Sequence, residues 1–328
     1  MSAAETVGIV GAGPFGTALA HVVAGAGRSV LVFSQTENVV REINSEHRNE
    51  ERLPGVALAD GVRATSNPAE LAEQCRFIVL AVGAEDVRQR ARELGENIDG
   101  AHLVVHAIGA YARPEDVPVS EVLGDELPTL RIGALAGPAL PADLAAGRVA
   151  SMVCGSRYAE VSAAARELLS SPPTLRIYGS RDLVGVELAS SLSGLYTVVL
   201  GMADGLDVGA GTRAVLVTRL VAEASRLGQA LGAESWTFAG LAGLGNLLVR
   251  GGGESSSREY LYGLALAQGS RPEGRPPVGA RCVHSLARVA EQRGQRLPVL
   301  TALHQVLDGD VDPREAAKAI AETVGEHE

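Results

Sequence analysis

Short apolar runs alternate with helix-period segments through the first half of the chain. Val7–Val10, Ser29–Phe33, Phe77–Val82, Leu103–Ala107, Arg131–Ala136 and Ala150–Cys154 read as strands, with Leu175–Tyr178 as a further candidate. Between them the pattern predicts helices over Gly16–Ala26, Thr36–Asn44, Pro68–Gln74, Ala84–Leu94, Val117–Leu123, Pro141–Ala146 and Ala159–Leu169. This alternation predicts a mostly parallel sheet covered on both faces. Asn67 before Pro68 marks a helix start. Arg52-Leu53-Pro54-Gly55 reads as a turn, followed by a linker into Ala64-Thr65-Ser66.

From Leu183 the pattern changes. Leu183–Asp204 is long and apolar without strand alternation. Ala210–Leu231, Thr237–Val249, Glu259–Ala267, Ala280–Arg293, Pro298–Leu307 and Pro313–Thr323 all read as helices. The polar stretches Arg250–Arg258 and Gly269–Pro277 read as loops. The expected fold class is therefore α/β. A Rossmann-like, mostly parallel sheet domain (1–182) precedes an all-α C-terminal domain (183–328).

One junction carries chemistry. Val7-Gly8-Ile9-Val10 feeds directly into Gly11-Ala12-Gly13-Pro14-Phe15-Gly16 and then into helical Thr17–Val23. This is the dinucleotide fingerprint between a strand and a helix. Gly11 permits the tight turn, Gly13 lets backbone approach a pyrophosphate, and Gly16 allows close helix–strand packing. The helix N-terminus then faces the anion.

Composition narrows the picture. A formal charge of −10 argues against nucleic acid as the main partner. No apolar run predicts membrane insertion, and the early strand leaves no visible signal peptide. Cys75, Cys154 and Cys282 are too far apart for a metal-type pair and read as reduced thiols of a cytoplasmic protein. No metal site is expected. Of 29 basic residues, Lys318 alone is a lysine, which nearly excludes a lysine in a cofactor cleft.

The chain resembles the bacterial NAD(P)-dependent glycerol-3-phosphate dehydrogenase family over nearly its whole length. The resemblance rests on Gly11–Ala20, Leu53-Pro54-Gly55, Ala64-Thr65-Ser66, Ile78–Val82, Ser120–Leu123 and Gly137-Pro138. Asp182–Leu188, Gly201–Leu206 and Thr237–Gly245 continue it in the same order. It implies a Rossmann-like domain, a helical domain, a cleft between them, a homodimer, and NAD or NADP as cofactor. It also implies hydride exchange between nicotinamide and the glycerol-3-phosphate/dihydroxyacetone phosphate pair. The cofactor residues so implied are Gly11, Gly13, Pro14, Phe15, Gly16, Ser34, Gln35, Val82 and Arg258. The substrate cleft would hold Ile108, Gly109, Gly137, Pro138, Arg250 and Glu259.

Several positions depart from the family pattern. A substrate-holding Lys-Gly pair becomes Ile108-Gly109, and the Lys-Asn pair bearing the expected acid/base becomes Ser193-Gly194. An aspartate after Gly-Leu-Gly becomes Asn246, and a nearby threonine becomes Arg250. The phosphate-binding Arg-Asn pair becomes Arg258-Glu259, followed by Tyr260 instead of arginine. A cofactor-touching glutamate is missing at Val278-Gly279. Isoleucine and serine cannot replace a tuned lysine in proton transfer, and a carboxylate beside a dianionic phosphate is repelled.

Ser193, Asn246, His106 and Tyr196 are the candidate catalytic residues. His106 is a replacement acid/base at a strand's C-terminal end or a structural histidine. Ser193 with Tyr196 is a hydrogen-bond donor pair or part of the core. Ser34-Gln35 offers neither the acidic residue expected for NAD ribose nor a base for the NADP phosphate. Arg41 and Arg48 are the alternative bases. Three readings remain: a divergent oxidoreductase acting on a small molecule other than glycerol-3-phosphate, a true glycerol-3-phosphate dehydrogenase with an unfamiliar catalytic set, and a catalytically silent NAD(P)-binding regulator or scaffold.

Overall fold

Eight strands form one sheet in a computed structural model that describes residues 5–114, 116–252 and 257–322. They are β1 Val7–Val10, β2 Val30–Phe33, β3 Val62–Thr65, β4 Phe77–Leu80, β5 Leu103–His106, β6 Ile132–Ala136, β7 Ala150–Ser156 and β8 Leu175–Ser180. Their order across the sheet is β3-β2-β1-β4-β5-β6-β7-β8. All neighbours run parallel except β6 and β7. In register, Val7 stands opposite Val30 on one side and Phe77 on the other. Every residue of β1, β2 and β4 is buried, as apolar runs covered on both faces require.

Seven helices accompany the sheet: α1 Pro14–Gly25, α2 Glu37–Glu46, α3 Pro68–Gln74, α4 Val87–Gly95, α5 Val119–Glu126, α6 Pro141–Ala145 and α7 Ala159–Leu169. Leu19 and Val23 of α1 lie fully buried in one core with Ile9, Val79 and Val105. Each such side chain contributes about 1.5–3 kcal/mol of transfer free energy. Asn67 caps α3 by accepting from the Ala69 amide at 3.0 Å, as its place before Pro68 predicts.

The segment read as a linker contains a strand. β3 is a four-residue edge strand whose Val62 and Ala64 point inward and whose Arg63 points out. Its parallel pairing with β2, Val30 opposite Val62, supplies what its weak local pattern lacks.

The helical part comprises α8 Leu183–Gly205, α9 Gly209–Ala230, α10 Asn246–Arg250, α11 Arg258–Ala267, α12 Val278–Arg281, α13 Val283–Gln292, α14 Pro298–Asp308 and α15 Pro313–Glu322. α8 is long and apolar enough to cross a bilayer, but 94% of its apolar window is buried inside the protein. The chain separates into two compact units, Met1–Glu187 and Leu188–Glu328.

Two predicted helices are broken. Thr237–Val249 is not one helix but a 3-10 turn Ser235–Ala239, a π turn Leu241–Gly245 and α10. Gly243 sits against the Phe238 main chain so closely that any Cβ would collide with it, and the turn widens there. Ala280–Arg293 divides at Cys282, whose amide bonds back three residues to the Gly279 carbonyl at 3.3 Å. Arg250 and Arg258, read as loop ends, instead close α10 and open α11.

Candidate active site

The sheet order reverses at β1, because β2 and β3 follow it to one edge while β4 returns to its other side. Such a switch point opens a crevice beyond the strand ends. Gly11 leaves β1 there with φ +117°, and a Cβ on it would collide with the Ala81 carbonyl and lie 3.1 Å from Val82 Cγ1. At Gly16 a Cβ would collide with the Gly11 carbonyl. The protein's own packing thus demands both glycines. Gly13 differs: its backbone is extended and, among the described residues, nothing lies within 4 Å of where its Cβ would be. Its missing side chain leaves clear surface at the N-terminus of α1, which Pro14 opens and Phe15 continues. A dinucleotide pyrophosphate fits this turn, since the helix end attracts an anion and no side chain blocks it.

Asn49, fully buried, holds the turn from outside the motif. Its Nδ2 donates to the Ala12 carbonyl at 2.9 Å and to Thr17 Oγ1 at 2.8 Å. Nothing local in Arg48-Asn49-Glu50 marks this role. At the end of β2, Ser34 Oγ accepts from the Thr36 amide at 3.2 Å. Gln35 Nε2 reaches the Glu93 carboxylate of α4 at 3.4 Å. Arg41 bonds Asn38 Oδ1 at 3.1 Å, and Arg48 pairs with Glu50 at 3.6 Å.

His106 ends β5 and is 1% exposed. Its Nε2 lies 3.4 Å from Glu187 Oε1, and Glu187 also accepts from the Ser120 amide at 2.9 Å and from Ser120 Oγ at 2.6 Å. Burial lowers the imidazole pKa, against the pull of Glu187. The imidazole is buried beside a carboxylate, and its burial favours the neutral form. Ile108 is also buried, while Gly109 and Pro138 are half-buried. Gly137 is accounted for by the sheet, because a Cβ there would lie 2.7 Å from the Ser151 carbonyl oxygen.

In the helical unit, Ser193 of α8 is buried with its hydroxyl committed to backbone. Carbonyl oxygens of Ala189, Gly243 and Ala242 lie 2.7, 3.0 and 3.3 Å from Oγ. The π turn therefore docks on α8 at Ser193. Tyr196, 2% exposed, lies instead beside Glu223 of α9. Burial raises its pKa, and Glu223 raises it further. Ser193 Oγ is engaged by backbone carbonyls, while the Tyr196 ring is buried in the core beside Glu223. Glu223 accepts from the Val299 and Leu300 amides at 2.8 and 3.2 Å, capping α14.

Four of the positions singled out in the sequence, Gly194, Arg250, Glu259 and Gly279, do meet. A Cβ on Gly279 would lie 2.6 Å from the Gly194 main chain and 2.9 Å from Glu259 Cγ. Glu259, 4% exposed, pairs with Arg250 at 3.1 Å. The Glu259 carboxylate thus has a cationic partner within the protein. Asn246 is buried at the start of α10, and Arg258 is exposed at the start of α11. Tyr260 donates to Asp204 Oδ2 at 2.8 Å, and Arg213 binds Asp204 Oδ1 at 2.9 Å and the Gly251 carbonyl. Sequence reasoning quoted the Asp204 segment without seeing that role; Arg213 carried no motif.

A parallel sheet that reverses at a glycine turn, followed in the chain by a helical unit, is the architecture of the NAD(P)-binding oxidoreductases. The particular family is plain from sequence. The chain belongs to the NAD-dependent glycerol-3-phosphate dehydrogenase family, whose N-terminus matches residues 6–162 and whose C-terminus matches residues 182–318. It is 33% identical to the glycerol-3-phosphate dehydrogenase [NAD(P)+] of Nitratidesulfovibrio vulgaris Hildenborough, covering 96% of this chain and 97% of that one. Against the enzyme of that description from Sinorhizobium fredii the identity is 35%, with 97% and 96% covered. The glycerol-3-phosphate dehydrogenase structure from Coxiella burnetii superposes with a TM-score of 0.87 at 27% identity, covering 97% of this chain and 99% of that one.

Proposed function

We propose that this chain is an NAD(P)-binding oxidoreductase of the family with an altered substrate site. On this reading its turnover of glycerol-3-phosphate or dihydroxyacetone phosphate is weak or nil. The observation that carries it is Ser193, a buried hydroxyl whose one proton faces only backbone carbonyl acceptors, Ala189 at 2.7 Å foremost, where the resemblance implies a lysine acid/base. A bound nicotinamide would supply or accept the hydride. The residues assigned to it are Gly11, Gly13, Pro14, Phe15, Gly16, Ser34, Gln35, Val82 and Arg258, with Asn49 positioning the turn. Proton transfer then needs a titratable partner, and the chain's single lysine is Lys318. Loss of a positioned acid/base costs roughly 10²–10⁴-fold.

A second reading, an active glycerol-3-phosphate dehydrogenase with a different catalytic set, draws support from the names of the relatives and from the Arg250–Glu259 pair. A silent NAD(P)-binding protein is the remaining alternative. Assembly as a homodimer and a cytoplasmic location belong to the proposal.

The test measures NADH and NADPH binding, then their oxidation with dihydroxyacetone phosphate and a panel of other small carbonyl compounds. Binding, with poor turnover of dihydroxyacetone phosphate, is expected. A turnover number of roughly 1–10³ s⁻¹ with that substrate overturns the proposal and establishes the second reading. Binding without turnover of any carbonyl favours the silent protein.

A further inference from the structure

In the helical unit, α13 and α14 bring two imidazoles and a carboxylate together. His284 lies in the first turn of α13, while His304 and Asp308 lie one turn apart on α14. His284 Nδ1 is 2.8 Å from His304 Nε2, and His304 Nε2 is 3.2 Å from Asp308 Oδ2. His284 Nε2 lies 3.6 Å from Asp308 Oδ1. The rings meet edge to face, with centroids 4.7 Å apart and an interplanar angle of 82°. One donor atom from each residue falls within 4.8 Å of the other two.

We infer that His284, His304 and Asp308 form a binding site for a zinc-like divalent transition metal. Zinc holds imidazole nitrogen and carboxylate oxygen at about 2.0–2.2 Å in a tetrahedron, so its ligand atoms stand roughly 3.3 Å apart. His304 Nε2 already stands 2.8 Å from His284 Nδ1 and 3.2 Å from Asp308 Oδ2, close to that edge, and the three donor atoms all fall within 4.8 Å of one another. The direct imidazole–imidazole hydrogen bond must open by about half an ångström for both lone pairs to face one ion. His284, with a side chain 58% exposed, is free to make that adjustment. The frame beneath is anchored: Gly309 closes α14 in a left-handed turn, and Arg271 donates to the Val306 carbonyl at 3.1 Å. Two imidazoles with one carboxylate suit zinc or its neighbours in the series better than magnesium or calcium, which prefer all-oxygen sets. Solvent completes the coordination at this exposed corner. The bound ion ties α13 to α14 and stabilises the folded unit by mass action.

The chain's thiols are poor competitors, since Cys75, Cys154 and Cys282 are all buried. His327, outside the described residues, is the competitor that needs a control. The test is calorimetric titration of full-length, tag-free protein with ZnCl₂, with melting temperature read in parallel. One saturable zinc per chain and a zinc-dependent rise in melting temperature are expected. Both should be lost in His284→Ala and His304→Ala, weakened in Asp308→Asn and unchanged in His327→Ala. Losing a ligand should weaken binding by more than the roughly 10–100-fold that losing an outer-shell partner costs. Absence of saturable binding, survival of binding in His284→Ala, or its loss in His327→Ala overturns the proposal. His284 is exposed, so its variant keeps the test decisive if His304→Ala fails to fold.

Discussion

The glycine turn after β1 and the neighbourhood of Ser193 on α8 respond to change in opposite ways. At the turn, Gly11 and Gly16 have no freedom: a Cβ on either strikes backbone. A fold that keeps its sheet keeps them, whatever chemistry follows. Around Ser193 the packing is equally tight, yet it is satisfied by residues that carry no proton-transfer chemistry. Serine bridges α8 to the π turn, and the Gly194 main chain packs on Gly279. Charge at Glu259 is balanced by Arg250. Backbone sterics tie the glycine turn to the fold, whereas the contacts around Ser193 hold the helical unit together without fixing any proton-transfer chemistry.

The largest effect should come from making the second region resemble the family pattern. Ile108→Lys, Ser193→Lys, Asn246→Asp and Glu259→Asn together should raise NADH- or NADPH-dependent reduction of dihydroxyacetone phosphate by roughly 10²–10⁴-fold. Single variants should gain little, as residues acting as a unit do. Ser193→Lys alone also puts an ammonium among carbonyls with no charged partner at Asn246. Recovery of the full rate by Ser193→Lys alone would show that the region is not broadly rebuilt.

Gly13→Asp tests the first region. It places a charge where no protein atom intervenes, and dinucleotide affinity should fall by roughly a hundredfold or more while the fold survives. Unchanged NADH and NADPH affinities, measured by fluorescence titration of a folded variant, would move the cofactor elsewhere.

Arg250→Ala removes the guanidinium that pairs with the buried Glu259. It should cost about 1–3 kcal/mol in urea unfolding, discounted because Arg250 is partly exposed. Arg250→Thr with Glu259→Asn should recover most of that loss. A double-mutant cycle giving no coupling would remove charge balance from the comparison.

The smallest effect concerns His106. Its folded pKa is lowered by burial, so below the ordinary value of 6.5 the unfolded chain takes a proton that the folded chain refuses. Stability should therefore fall as pH drops from 6.5 toward the folded pKa, by at most about 1.4 kcal/mol per pH unit. Unfolding free energies at about pH 7 and pH 5 should show that slope in the wild type and lose it in His106→Leu. Equal slopes in both proteins would assign the pH dependence to other groups.

Much of this protein was legible in order along the chain. The apolar runs of β1, β2 and β4 declare themselves because a covered parallel strand must be apolar on both sides. The glycine fingerprint declares itself because steric limits on backbone act within a few residues. The change to helices near Leu183 follows from periodicity alone. Tertiary structure decided the rest. β3 exists because β2 offers it a partner, and the Thr237–Val249 helix breaks because Gly243 packs on Phe238. Asn49 reaches Ala12 across 37 positions, and Arg250 pairs with Glu259 of the following helix. The imidazoles of His284 and His304, 20 residues apart, share a corner only because two helices pack side by side. Local sterics and periodicity are written in neighbouring residues; pairings between distant side chains depend on a closed chain that no short window of sequence contains.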